Sequence, residues 1–185
     1  MPFGLAEAVT VSTTNVWPGG PTGFNLTGMN VTISMWDEAS PRLMHIELNP
    51  RVTELDGNTT NSDHSTAVAG ILAGVGVNLY SGTNLLGPLA KGMAYAAQVQ
   101  ARDLRIDLGE MTGAVGTNHM RLSNQSYGWI AGWYYDGASW YWYGYPSVSA
   151  TEDPGFGNYT TNASVYDNLI QGAPTYLQVW AAGND

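Results

Sequence analysis

The chain has no cysteine among its 185 residues. Disulfides, thiolate metal ligands and a cysteine nucleophile are therefore excluded. Charge is scarce as well: charged residues make up 11%, against about 25% in an average domain. Lys91 is the sole lysine, beside five arginines, and the formal net charge is -9. Such a chain cannot neutralise a row of phosphates, so nucleic acid is not an expected partner. No run of about 18 apolar residues occurs, so neither a transmembrane helix nor a membrane partner is expected. No charged segment followed by an apolar stretch opens the chain, so no signal peptide is read there.

What is present points to one packed domain. Hydrophobic residues make up 44%, and this length can bury a sizeable core. With 23 Gly, 11 Tyr and 7 Trp, the surface must rely on small, amide, hydroxyl and aromatic groups. Residues 1–28 are rich in Gly, Pro, Thr and Asn and read as an irregular lead-in, leaving 29–185 as the domain. The first strong strand is 30–36, β-branched and mostly apolar, ending at Asp37. A helix is expected over 62–74, capped by Ser62 or Asp63. Its small residues Ala67, Gly70 and Gly74 permit close backbone packing, which would offset the low helix propensity of Gly. Further strands are expected at 96–102, 121–126 and 175–182, with helices at 107–116 and 161–171. No regular element is read in the aromatic, Gly- and Pro-rich stretch 129–159. Strands alternating with helices imply an α/β fold with a mainly parallel sheet. Ligand groups in such sheets gather beyond the carboxyl ends of strands, where Asp37, Ser126 and Asn184 are placed.

Asp37 and His64 suit an orienting carboxylate and a general base. Their wider setting carries more. His-Ser-Thr-Ala-Val-Ala-Gly at 64–70 resembles the histidine box of the subtilases, the subtilisin-like serine peptidases, and Val31–Asp37 resembles their aspartate box. Asn124–Gly128 is similar to the segment lining their substrate cleft, and Ala181–Asn184 to the stretch that supplies their oxyanion-hole Asn. All four stand in the family's order. The resemblance implies a three-layer αβα fold with a mainly parallel sheet and a serine-type endopeptidase acting on polypeptides. It implies that Asp37 orients the imidazole, that His64 moves the proton, and that Asn184 donates to the oxyanion. Ser126, Tyr127 and Gly128 would pair by backbone with an extended substrate peptide. It also implies an extracellular location.

Two departures stand out. Ala67 occupies a position where the family usually has a second His, which changes packing near the site and leaves the mechanism intact. The family's nucleophile sits in Gly-Thr-Ser, and that string occurs nowhere here; Gly82-Thr83-Asn84 and Gly116-Thr117-Asn118 come nearest. The chain is therefore expected to be the amino-terminal portion of a catalytic domain, incomplete at its C-terminus, inactive alone, with the missing C-terminal part as its partner. No metal site or organic cofactor is assigned. Ca²⁺, which the family often binds, stays open, with Asp103, Asp107 and Glu110 as conceivable oxygen ligands. The alternative function is a non-catalytic binding module, an adhesin or carbohydrate binder, using the aromatic segment 129–145 on an inactive peptidase scaffold.

Overall fold

The structure is a computed structural model that describes residues 4–77 and 79–183. A helix α1 (Leu5–Thr10) precedes the sheet. The remaining elements are β1 (Thr32–Asp37), β2 (Val52–Glu54), α2 (Asp63–Ala73), β3 (Leu79–Ser81), β4 (Asn84–Gly87), β5 (Gln98–Asp103), α3 (Asp107–Asn118), β6 (Leu122–Gln125), β7 (Trp133–Tyr135), β8 (Trp140–Trp142), α4 (Thr161–Gly172) and β9 (Leu177–Trp180). Five strands form one parallel sheet in the order β2-β5-β1-β6-β9. The fold is the three-layer α/β arrangement expected.

Strand β1 lies at the centre and is buried on both faces from Ile33 to Asp37. Burial on both faces restricts it to apolar and small side chains before Asp37, namely Ile33, Ser34, Met35 and Trp36. Alternation along it sorts side chains between the two helical layers. Ile33 and Met35 join Val99, Ala101, Ala69 and Ala73 in the core under α2. Trp36 faces the opposite layer, where its indole donates to Glu110 of α3 (2.8 Å). Gln125, paired with Trp36 in register, reaches Met111 of α3 from the same face. Asp37 shares the face of Met35, which directs it toward α2.

Helix α2 buries Ser65, Ala69 and Ala73, one turn apart. The expected close approach occurs, but at the end of the helix. Gly92 and Met93 donate to the carbonyls of Gly74 (2.8 Å) and Ile71 (2.8 Å). A Cβ at Gly92 would stand 2.5 Å from the Gly74 nitrogen and 2.7 Å from the Gly70 oxygen. Gly70 has open space where its own Cβ would go, so tight burial does not account for that glycine.

Two segments differ from the sequence reading. The lead-in is not irregular throughout. Helix α1 starts where the Gly4 amide donates to Glu7 (2.6 Å), and Trp17 anchors the following turns by donating to the Met93 carbonyl (2.9 Å). Six residues are too few to show a helical period. The stretch 129–159 holds the antiparallel hairpin β7–β8, with Trp133, Tyr134 and Tyr135 opposite Trp142, Tyr141 and Trp140. Asp136 closes its turn by accepting from the amides of Ala138 (2.8 Å) and Ser139 (2.7 Å). Strand β2 and the hairpin β3–β4 were also not legible, being three or four residues each.

Candidate active site

The sheet order sets the site. The chain leaves β1 toward the β5 and β2 side and leaves β6 toward β9, so a crevice opens beyond the carboxyl ends of β1 and β6. In open α/β sheets such switch points collect ligand-binding groups. Register places Trp36 beside Gln125 and Gln125 beside Trp180. The next residues, Asp37, Ser126 and Ala181, therefore end their strands side by side.

Into this crevice α2 brings His64 in its first turn. The turn is fixed by Ser62, whose hydroxyl accepts from the Ser65 amide (3.0 Å) and donates to Glu38. Thr66 tethers the same turn to the segment after β1 by accepting from the Arg42 amide (2.9 Å). Ser65 points inward and donates to Asp37 Oδ1 (3.0 Å), which also accepts from the Glu38 amide (2.8 Å). His64 Nδ1 lies 2.7 Å from the same oxygen. The Asp37 side chain is 1% exposed and that of His64 50%. The carboxylate is thus locked in the protein while the outer edge of the imidazole meets solvent.

This geometry sets the tautomer. A carboxylate only accepts, so Nδ1 carries the hydrogen and Nε2 keeps a free lone pair directed away from Asp37. Such an imidazole can take a proton at Nε2, and the buried carboxylate stabilises the imidazolium formed. Asp37 Oδ2 is buried and has no hydrogen-bond partner among the described residues. No hydroxyl among the described residues bonds His64 Nε2.

The other expected site residues take defined places. Ser126 is half-buried and accepts from the Asn124 amide group (2.9 Å); it makes no bond to His64. Gly128 is exposed, with open space where a Cβ would stand. Ser126, Tyr127 and Gly128 line a groove of about 290 Å³, closed opposite by Ala181, Ala182 and Gly183. Asn184 lies outside the described residues. His45 accepts from the Glu47 amide (3.2 Å), and His119 ends α3 in the left-handed conformation; both are local backbone roles.

Asp103, Asp107 and Glu110 do not converge. Asp103 pairs with Arg105, Asp107 accepts from Tyr127 and Tyr166, and Glu110 accepts from Trp36. Their donors do not fit a shared Ca²⁺ site, and among the described residues no three His, Asp or Glu side chains gather to hold a metal. Ser62 is the helix cap, one of the two candidates read from the sequence, whereas its bond to Glu38 and the contribution of Ser65 were missed by sequence reasoning. The inward turn of Ser65 depends on tertiary packing.

A buried carboxylate beside a half-exposed imidazole, next to a groove at a switch point, is an arrangement that can move a proton. The chain matches the Subtilase family (Peptidase_S8) over residues 22–185 and belongs to that family. It is a serine-type peptidase domain by family, and the family's substrates are polypeptides. No curated protein matches the chain.

Proposed function

We propose that the chain carries the acid–base machinery of a serine endopeptidase, with Asp37 orienting and His64 as general base and then general acid. The observation that supports this most is the 2.7 Å contact between His64 Nδ1 and the buried Asp37. His64 Nε2 takes the proton from a serine hydroxyl as the serine attacks the scissile carbonyl. It then passes that proton to the leaving amine, and an acyl-enzyme remains for water to hydrolyse. Asn184 donates to the developing oxyanion. Backbone groups of Ser126, Tyr127 and Gly128 pair with the extended peptide and hold its scissile bond in the crevice.

The 185 residues contain no Gly-Thr-Ser, and in the reading proposed here the nucleophilic serine is supplied from outside them. The chain alone, in this reading, is inactive. No helix among the described residues is long and apolar enough to cross a membrane, and extracellular action is the location we propose. A fluorophosphonate probe tests the serine assignment. The expected result is no labelling of the isolated chain; labelling of one of its own serines would overturn the reading. Casein hydrolysis by the extended protein should vanish in His64→Ala, and equal activity would remove the catalytic role.

A second reading is favoured by one observation. Hairpin β7–β8 displays Trp140 at 64% and Trp133 at 50% exposure, in cross-strand pairs Tyr135–Trp140 (5.1 Å) and Trp133–Trp142 (5.3 Å). Such a ladder can stack a sugar or peptide, as a binding module would. Unchanged ligand binding after Trp140→Ala would dismiss it.

A further inference from the structure

A second cavity, of about 640 Å³, opens on the other side of residues 127–129. Tyr127, Gly128 and Trp129 form the wall it shares with the smaller groove. The cavity is boxed by aromatic rings. Trp180 meets Tyr127 at 5.4 Å and Tyr166 at 4.9 Å between centroids, both edge-on. Trp129 stands at its mouth, 93% exposed.

Its charge has one sign. Asp107 and Asp167 line it, and no Lys or Arg does. Asp107 is held in place from three directions: its Oδ2 accepts from Tyr127 (2.5 Å) and Tyr166 (2.7 Å), and its Oδ1 from the Leu108 amide (2.6 Å). Neutral phenols position a carboxylate but do not cancel its charge. Burial, and then the hydrogen bond to Asp107, push both phenols above their ordinary range, so they stay protonated donors. Arg105, two residues away in sequence, is committed to Asp103.

A fixed negative charge without a cation, inside aromatic walls, is the chemistry that recognises an ammonium or guanidinium group. An apolar occupant would fill the box but strip water from Asp107 without replacing it. An acidic occupant would be repelled. Guanidinium fits better than ammonium, because its plane can stack on an indole while its edge donates to the carboxylate. The net charge of -9 draws basic polypeptides toward the chain. We infer that this cavity holds a basic side chain, arginine before lysine, of the polypeptide lying along Ser126–Gly128. The inference rests on the peptide-pairing role proposed for that segment.

The test is a binding titration of the full chain, followed by tryptophan fluorescence. Probes are extended peptides with arginine at successive positions and matched peptides carrying citrulline, which keeps the shape and removes the charge. Nα-acetyl-arginine amide and its citrulline counterpart are titrated in parallel. Arginine at one position should bind roughly tenfold tighter than citrulline, with the difference shrinking as salt rises. Asp107→Asn should abolish the difference, and Tyr166→Phe, which keeps the charge, should retain most of it. The arginine–citrulline comparison on the unmodified chain decides the matter even if a variant misfolds. Extended peptides that bind with no charge preference at any position would overturn the inference and leave the peptide-pairing role standing. Discrimination by the single-residue amides, with no gain from a longer peptide, would uphold the basic pocket and remove the pairing role.

Discussion

Replacing Asp37 by asparagine separates the two things this residue does. The amide has nearly the same volume and keeps an oxygen that can accept from the Glu38 amide and the Ser65 hydroxyl, which now lie 2.8 and 3.0 Å from Oδ1. Those bonds lose their charge assistance, a loss of about 0.5–1.5 kcal/mol each. Relief from burying a bare charge offsets part of it. The pairing with His64 adds little to folding, because the imidazole is 50% exposed and half-solvated pairs contribute at most about 1 kcal/mol. Net destabilisation should therefore stay below about 2 kcal/mol. Because the same oxygen also faces His64 Nδ1 (2.7 Å), the Nδ1 hydrogen stays in place and only the charge is lost. An imidazolium deprived of a charged acceptor loses about 1.5–3 kcal/mol, so turnover with the serine present should fall by about 10–10². The tautomer can be read on the chain itself by ¹⁵N NMR of labelled histidine. Wild type and Asp37→Asn should both show the His64 hydrogen on Nδ1. A variant with that hydrogen on Nε2 would refute the reasoning, whatever its stability.

Other outcomes follow from the packing. Gly92→Ala should lower stability by more than about 2 kcal/mol in urea unfolding, since its Cβ would meet backbone atoms at 2.5 and 2.7 Å. Gly70→Ala, with open space around it, should raise stability by about 0.5–1 kcal/mol in the same assay. Ser62→Ala removes the α2 cap and should cost about 1 kcal/mol; because that cap seats His64, its activity loss should exceed what the stability change explains. Burial raises the Glu110 carboxyl above the ordinary glutamate value. The stability linked to it is full below that ordinary value and is lost as pH rises through the raised one. Glu110→Gln should therefore raise the melting temperature at neutral pH and have little effect below about pH 4.

The main strands and the helix that carries His64 were legible because each rested on local chemistry. An apolar run ending in Asp gave β1, and a Ser cap before a small-residue run gave α2. The pairing of Asp37 with His64 followed from the resemblance of both boxes to the subtilases. The hairpin β7–β8 carries a recognisable signal, Asp136-Gly137 between aromatic runs. Its four-residue turn and the surrounding glycines and prolines obscured it. Strands β2, β3 and β4 are too short for any period to emerge. Asp107 shows the opposite failure. In sequence it was one acid of three near a strand end, while folding brings it two tyrosines from distant segments, Tyr127 and Tyr166. Nothing in the spacing of those residues announces that meeting.

The place of β1 has a dynamic consequence. Asp37 ends a strand bonded on both flanks, by β5 and by β6, whereas His64 rides on the first turn of a helix. Structural units at the middle of a sheet open only with the whole domain, while helix ends fray at little cost. Amide hydrogen exchange along β1 should thus be among the slowest in the chain, with faster exchange around residue 64. When the dyad breaks, the imidazole swings away from a stationary carboxylate, so recovery requires only the return of one side chain to a berth that has kept its shape.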